Sequence, residues 1–104
     1  MSGPSLMRWP HSEPPSDIAI ERLMRDEGLA PHGWSNGPGD RYSTHSHTYH
    51  KVLYCVRGSI RFVAGATGAS FDLSPGDRLE IPPGTSHSAV VGRQGCSCLE
   101  ASRG

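Results

Sequence analysis

The apolar positions change character twice along the chain. Residues 1–16 carry four prolines and no apolar period, which predicts a flexible N-terminal tail whose Trp9 is its one candidate for docking. "DIAIERLMRDEG" (17–28) then takes a helical period: Ile20, Leu23 and Met24 share a face, and Glu21–Arg25 and Arg22–Asp26 form i,i+4 pairs. Asp17 is the expected N-cap and Gly28 the left-handed C-terminal cap. The alternation of Ile18 and Ile20 leaves a strand start open.

From Pro31 onward the period is two. "KVLYCV" (51–56) and "SIRFVA" (59–64) flank Arg57-Gly58 and read as a hairpin. "FDL" is a short strand, and "SPGD" (74–77) has the proline and glycine of a type II turn. "RLEI" runs into the rigid corner "PPGTSH", and "HSAVV" and "CSCLEA" supply closing strands. About eight short strands with frequent turns predict an all-β sandwich or small barrel. One domain over 17–104 follows, with a short helix laid on its outside.

Composition narrows this further. Thirteen glycines and nine prolines among 104 residues suit many tight turns between short strands. Ten basic and ten acidic residues balance, with no single-sign block, so nucleic acid and anionic membrane gain no electrostatic support. No apolar run resembles a secretory leader or a membrane span. Three cysteines do not make a disulfide framework, and Cys96 and Cys98 read as small apolar residues of a late strand. A reduced, cytoplasmic protein is expected.

The chemistry concentrates in "HSHTYHK" (45–51). Strand parity puts His45, His47, Tyr49, Lys51, Leu53 and Cys55 on one face and His50 on the other, unless a bulge at Tyr49 reverses it. His45 and His47 offer two imidazoles to one ion, although such pairs also occur on strands that bind nothing. The Pro82-Pro83-Gly84 corner then delivers His87 to the start of a strand, with Ala89 and Val91 sharing its parity. His11 falls in the tail. His32, beside Trp34, reads as structural, Arg41 and Tyr42 as shaping the pocket mouth, and Glu80 as facing solvent or an interface.

Gly39, His45, His47, position 51 and Gly58, followed by Gly76, Pro82, Gly84, His87 and position 91, fall at the intervals of two motifs, 39–58 and 76–91. In these the chain resembles the cupin superfamily, over about residues 31–100. The resemblance implies a jelly-roll barrel (a double-stranded β-helix) holding one divalent metal on His45, His47 and His87. Two positions depart from the family pattern: Val91 stands for an asparagine, and Lys51 stands for the glutamate that normally completes the ligand set.

Lys51 changes the electrostatics. An ammonium about 5 Å from a divalent ion is repelled by about 6–7 kcal/mol at an effective dielectric of 20, worth roughly five pKa units. The lysine then deprotonates and serves as ligand or base, swings its amine away, or leaves the metal weakly held; movement of the flexible stem is the expected escape. An all-nitrogen set suits Fe, Ni, Zn or Cu better than Mn. Lys51 and Tyr49 are the pocket candidates beyond the histidines, and no inward carboxylate is expected. The resemblance implies a small organic ligand, an anion finding a cation beside it, and an oxygen-using dioxygenase or an isomerase. A non-catalytic binding cupin and a metal-free barrel are the alternatives. With little apolar mass per chain, a homodimer is expected.

Overall fold

The computed structural model describes residues 3–103. Its elements are β1 (Ser5–Met7), α1 (Asp17–Asp26), β2 (His32–Asn36), β3 (Arg41–His45), β4 (His50–Ala64), β5 (Ser70–Leu73), β6 (Arg78–Ile81) and β7 (His87–Arg103). All pairings are antiparallel. β4 and β7 run through both leaves of a jelly-roll barrel. One leaf has the order β1-β6-β4-β7-β2; the other adds β5 to the second half of β4 and β3 to the first half of β7.

The expected hairpin at Arg57-Gly58 is instead a bend within one continuous strand. The β4–β7 register shifts between Cys55 and Arg57 and again between Gly58 and Ile60, so the strand passes from one leaf to the other without reversing. Gly58 has φ 73° and lies so close to Gly95 that a Cβ would sit 1.9 Å from the Gly95 carbonyl oxygen. Gly95, with φ 78°, bends β7 at the same place. "HSAVV" and "CSCLEA" are therefore two halves of β7. A glycine that permits positive φ serves a turn and a bulge equally.

Two cores follow from the faces of β4. Inside the barrel Leu53, Cys55, Ile60 and Phe62 pack with Leu73, Leu79, Ile81, Ala89, Val91, Cys96 and Cys98. Outside, Val52, Tyr54, Val56 and Ala101 receive Ile20 and Met24 of α1 and Leu29 after it. The helix is capped by Ser16 rather than Asp17: the Ser16 hydroxyl accepts from the Ala19 N–H at 3.1 Å. Asp17 becomes the acidic residue of the first turn and pairs with Arg57 at 3.0 Å. At the other end the Gly28 N–H donates to Arg25 and the Leu29 N–H to Met24, a Schellman closure around a glycine at φ 79°. Leu23 stays 40% exposed, so the buried helix face is narrower than its sequence period.

The expected tail is an ordered edge strand and strap. β1 pairs with β6, and Asp77 fastens the next two residues, Arg8 and Trp9. Its carboxylate accepts from Arg8 Nη1 (2.8 Å), the Trp9 N–H (2.9 Å) and the Ser74 N–H (2.9 Å). Trp9 covers Gly76, where a Cβ would lie 2.5 Å from Trp9 Cγ. The partners that order residues 5–9 lie about seventy positions downstream, so no local pattern announces them. Burial works to raise the Asp77 pKa, but the two backbone donors and Arg8 prevail and hold it below the usual carboxylate value.

Candidate metal centre

Three segments bring the histidines together. His45 ends β3 and lies opposite His87, the first residue of β7. His87 also faces Ala64 of β4. His47 sits in the bend joining β3 to β4, not in a strand, so parity alone does not aim it. The proline corner does: the Gly84 N–H donates to the His47 carbonyl at 2.7 Å, pinning one motif to the other. Ring centroids are 4.8 Å apart for His45–His47, 4.4 Å for His45–His87 and 5.3 Å for His47–His87. One ligand atom from each lies within 4.8 Å of the other two.

The hydrogen bonds assign tautomers. Nδ1 of His45 lies 2.7 Å from the Ser43 carbonyl and Nδ1 of His87 2.9 Å from the Thr85 carbonyl. A carbonyl can only accept, so both Nδ1 atoms carry a proton, and in the neutral form of either ring Nε2 is the lone-pair atom. Nε2 of His47 and of His87 is buried without a hydrogen-bond partner. Burial lowers the pKa of both rings; Lys51 and His45 lower that of His47 further, and for His87 the Thr85 bond only partly opposes the shift. Neutral imidazoles with buried lone pairs suit a divalent transition ion.

Around the cluster is a cavity of about 280 Å³. Trp34, Tyr42, Phe62 and Ala89 form much of its wall, and Tyr49 stacks on His47 with centroids 5.0 Å apart. Lys51 is inward and only 8% exposed, and its Nζ lies 3.4 Å from Oε1 of Glu100. Glu100, 9% exposed, also accepts from the Trp34 Nε1–H at 2.8 Å. The pocket thus holds the inward carboxylate that was not expected. It could have been found from parity: Cys96, Cys98 and Glu100 alternate along β7, and all three side chains are buried.

The other candidates lie elsewhere. His50 faces outward, its Nε2 2.8 Å from Glu80, and no bulge turns it into the barrel. Glu80 is paired with both His50 and Arg78. His32 is at the rim, 3.8 Å from Glu100, and His11 packs edge-on against Trp9. Arg41 pairs with Val90 through the backbone and does not line the cavity. The three thiols are buried in the barrel core, Cys55 directly across from Cys98. A wider surface groove of about 800 Å³ passes Arg61 and Asp72, but these two are paired at 2.6 Å and no histidine lines it.

Comparison with known proteins agrees with this fold. The family model described as the cupin domain matches residues 30–99. A quercetin 2,3-dioxygenase of Bacillus subtilis is 41% identical over 56 residues, which is 52% of this chain and 16% of that enzyme. The chain therefore spans about a sixth of the length of this relative. Among solved structures, the polyketide cyclase RemF of Streptomyces resistomycificus superposes with a TM-score of 0.63 at 25% identity, covering 71% of this chain and 54% of that one. A cupin superfamily protein of Desulfitobacterium hafniense matches 95% of this chain and 75% of its own, with a TM-score of 0.62 at 15% identity, a likeness of fold alone.

Proposed function

The chain belongs to the cupin family, and from that membership we propose that it binds one divalent transition metal on His45, His47 and His87 and acts on a small organic molecule as a dioxygenase or isomerase. The observation that carries the reading is the pair of buried Nε2 atoms without partners, on rings whose tautomer or neutrality suits ligation. Leaving such an atom unpaired costs about 1–3 kcal/mol, and a bound ion removes that cost. The all-nitrogen set favours Fe, Ni, Zn or Cu over Mn. The dioxygenase and cyclase among the similar proteins are consistent with small organic substrates.

When bound, the ion supplies Lewis acidity toward a ligand oxygen. The chain's own residues supply the rest. The Ser43 and Thr85 carbonyls hold two rings in orientation. Trp34, Phe62 and Ala89 exclude water from the ligand's apolar part. Lys51 and Glu100 set an ammonium and a carboxylate in the cavity wall, paired at 3.4 Å, where they bind and orient the polar part of a ligand. The test is elemental analysis of untagged protein before and after reconstitution, followed by turnover assays of the loaded form. Near-stoichiometric metal that disappears in His87→Ala supports the reading; sub-stoichiometric metal after reconstitution rejects it.

Lys51 favours a second reading, a barrel that binds its ligand without metal or catalysis, because a cation stands where the family places a carboxylate. Ligand that raises the melting temperature of chelated protein, and is recovered unchanged, would support it. The three buried free thiols support a reducing, cytoplasmic setting. The edge strand β1, with Met7 65% exposed, supports a homodimer, which light scattering checks.

A further inference from the structure

Lys51 and Glu100 form a built ion pair inside the ligand cavity, on neighbouring strands and diagonal in register: Lys51 lies opposite Ser102, and Glu100 opposite Leu53. Both are nine-tenths buried. A buried ammonium and carboxylate normally spend their donors and acceptors on several partners. Here the arrangement is lopsided. Glu100 is well held, accepting from Trp34 at 2.8 Å and facing His32 at 3.8 Å. Lys51 has three N–H donors, yet among the described residues its one ionic partner is the Glu100 oxygen at 3.4 Å.

The charge balance points the same way. Among the described residues Glu100 is the one carboxylate lining the cavity, and Lys51 already neutralises it. Among the described residues no further carboxylate of the cavity faces the spare donors of Lys51. The wall beside them is aromatic and apolar, and the volume, about 280 Å³, lies just below the roughly 300–1,000 Å³ typical of drug-sized sites.

We infer that Lys51 is the anion-anchoring residue of this pocket, fixed in place by Glu100 and Trp34, and that the ligand is a small organic acid: a carboxylate or enolate oxygen on Nζ, with its hydrocarbon part against Trp34 and Phe62. The inference rests on reading this cavity as the ligand site, but it does not require the metal. A bound anion completes the donors of Lys51 and makes charge-assisted hydrogen bonds in a setting of low polarity.

The experiment uses metal-free full-length protein in chelator. Benzoate and its neutral isostere benzamide are titrated and followed by protein-observed NMR and calorimetry, in wild type and in Lys51→Met. The expected result is benzoate binding to wild type in preference to benzamide, at least about tenfold weaker in Lys51→Met, with benzamide unaffected. Because methionine leaves Glu100 buried without its cation, the double variant Lys51→Met/Glu100→Gln is measured beside it; it removes both charges and should lose benzoate preference equally. Wild type that does not prefer benzoate, or either variant binding benzoate as tightly as wild type, overturns the inference. A protein that takes up no metal but keeps the Lys51-dependent preference separates failure of the metal reading from failure of this one.

Discussion

Replacing His87 by leucine is expected to raise the melting temperature of the metal-free protein while abolishing its response to metal. His87 is 1% exposed, and its Nε2 has no hydrogen-bond partner. An unpaired buried acceptor costs about 1–3 kcal/mol. Leucine removes that atom and gives up only the Nδ1–H bond to Thr85, worth about 0.5–1.5 kcal/mol. Its methyl groups meet Phe62 and Ala89 on the apolar side of the site and the His45 and His47 rings on the other. The balance is a gain of about 1 kcal/mol, or roughly 4–8 °C for a domain of this size.

The pH profile sharpens the test. Burial lowers the folded-state pKa of His87 below its ordinary 6.5. The unfolded chain therefore takes up the proton first: stability is complete above 6.5 and is lost as pH falls through the folded value. Leucine removes that loss, so the advantage of the variant should widen on acidification. In wild type, metal at a hundredfold excess over its Kd adds about 2.7 kcal/mol; in His87→Leu this increment should vanish. Differential scanning fluorimetry in chelator and in nickel or zinc reads both effects. A variant melting several degrees below wild type in chelator would refute the argument from the unpaired atom. A preserved metal shift would remove His87 from the ligand set.

Three further outcomes are expected. Lys51→Glu removes a cation from beside the histidines and places a carboxylate there, so metal affinity by competition titration should tighten at least about tenfold; unchanged affinity would put position 51 outside the site. Gly58→Ala drives a Cβ to 1.9 Å from the Gly95 oxygen at φ 73° and should cost more than about 4 kcal/mol in denaturant unfolding, whereas Gly84→Ala, at the same φ with nothing within 4 Å, should cost about 1–2 kcal/mol. Asp77→Asn should cost about 1–3 kcal/mol at neutral pH and flatten the acid limb: the folded pKa lies below the ordinary 3.8, so its contribution is present above that value and lost as pH falls through the folded one. Hydrogen exchange should then show β1 opening first.

Face assignments were legible because strand parity is a local property. Leu53 and Cys55 lie in the barrel core, Val52 and Tyr54 lie under α1, and His50 lies outside, as alternation along one strand requires. What was not legible depended on partners distant in sequence. The strap at residues 5–9 is ordered by Asp77 and Gly76, and nothing in a proline-rich start announces an acceptor that far away. Arg57-Gly58 has the composition of a turn, and only pairing with β7 across Gly95 makes it a bend in a continuing strand.

The pocket shows the same limit and a way past it. Read along β4, Lys51 is an isolated cation beside three imidazoles, and the sequence offers no reason for it to stay. Sheet register supplies the reason. β7 runs antiparallel to β4 with Lys51 opposite Ser102, so the inward residue beside it is two positions back, Glu100. The carboxylate absent from position 51 thus has a counterpart on the adjoining strand, anchored by Trp34 and neutralised by the lysine. The two positions do not restore the usual ligand set, because the carboxylate is held by a cation and not left free for a metal. They convert a negative site into a neutral one with spare donors, and a pocket so arranged complements an acid better than a base or a neutral ligand.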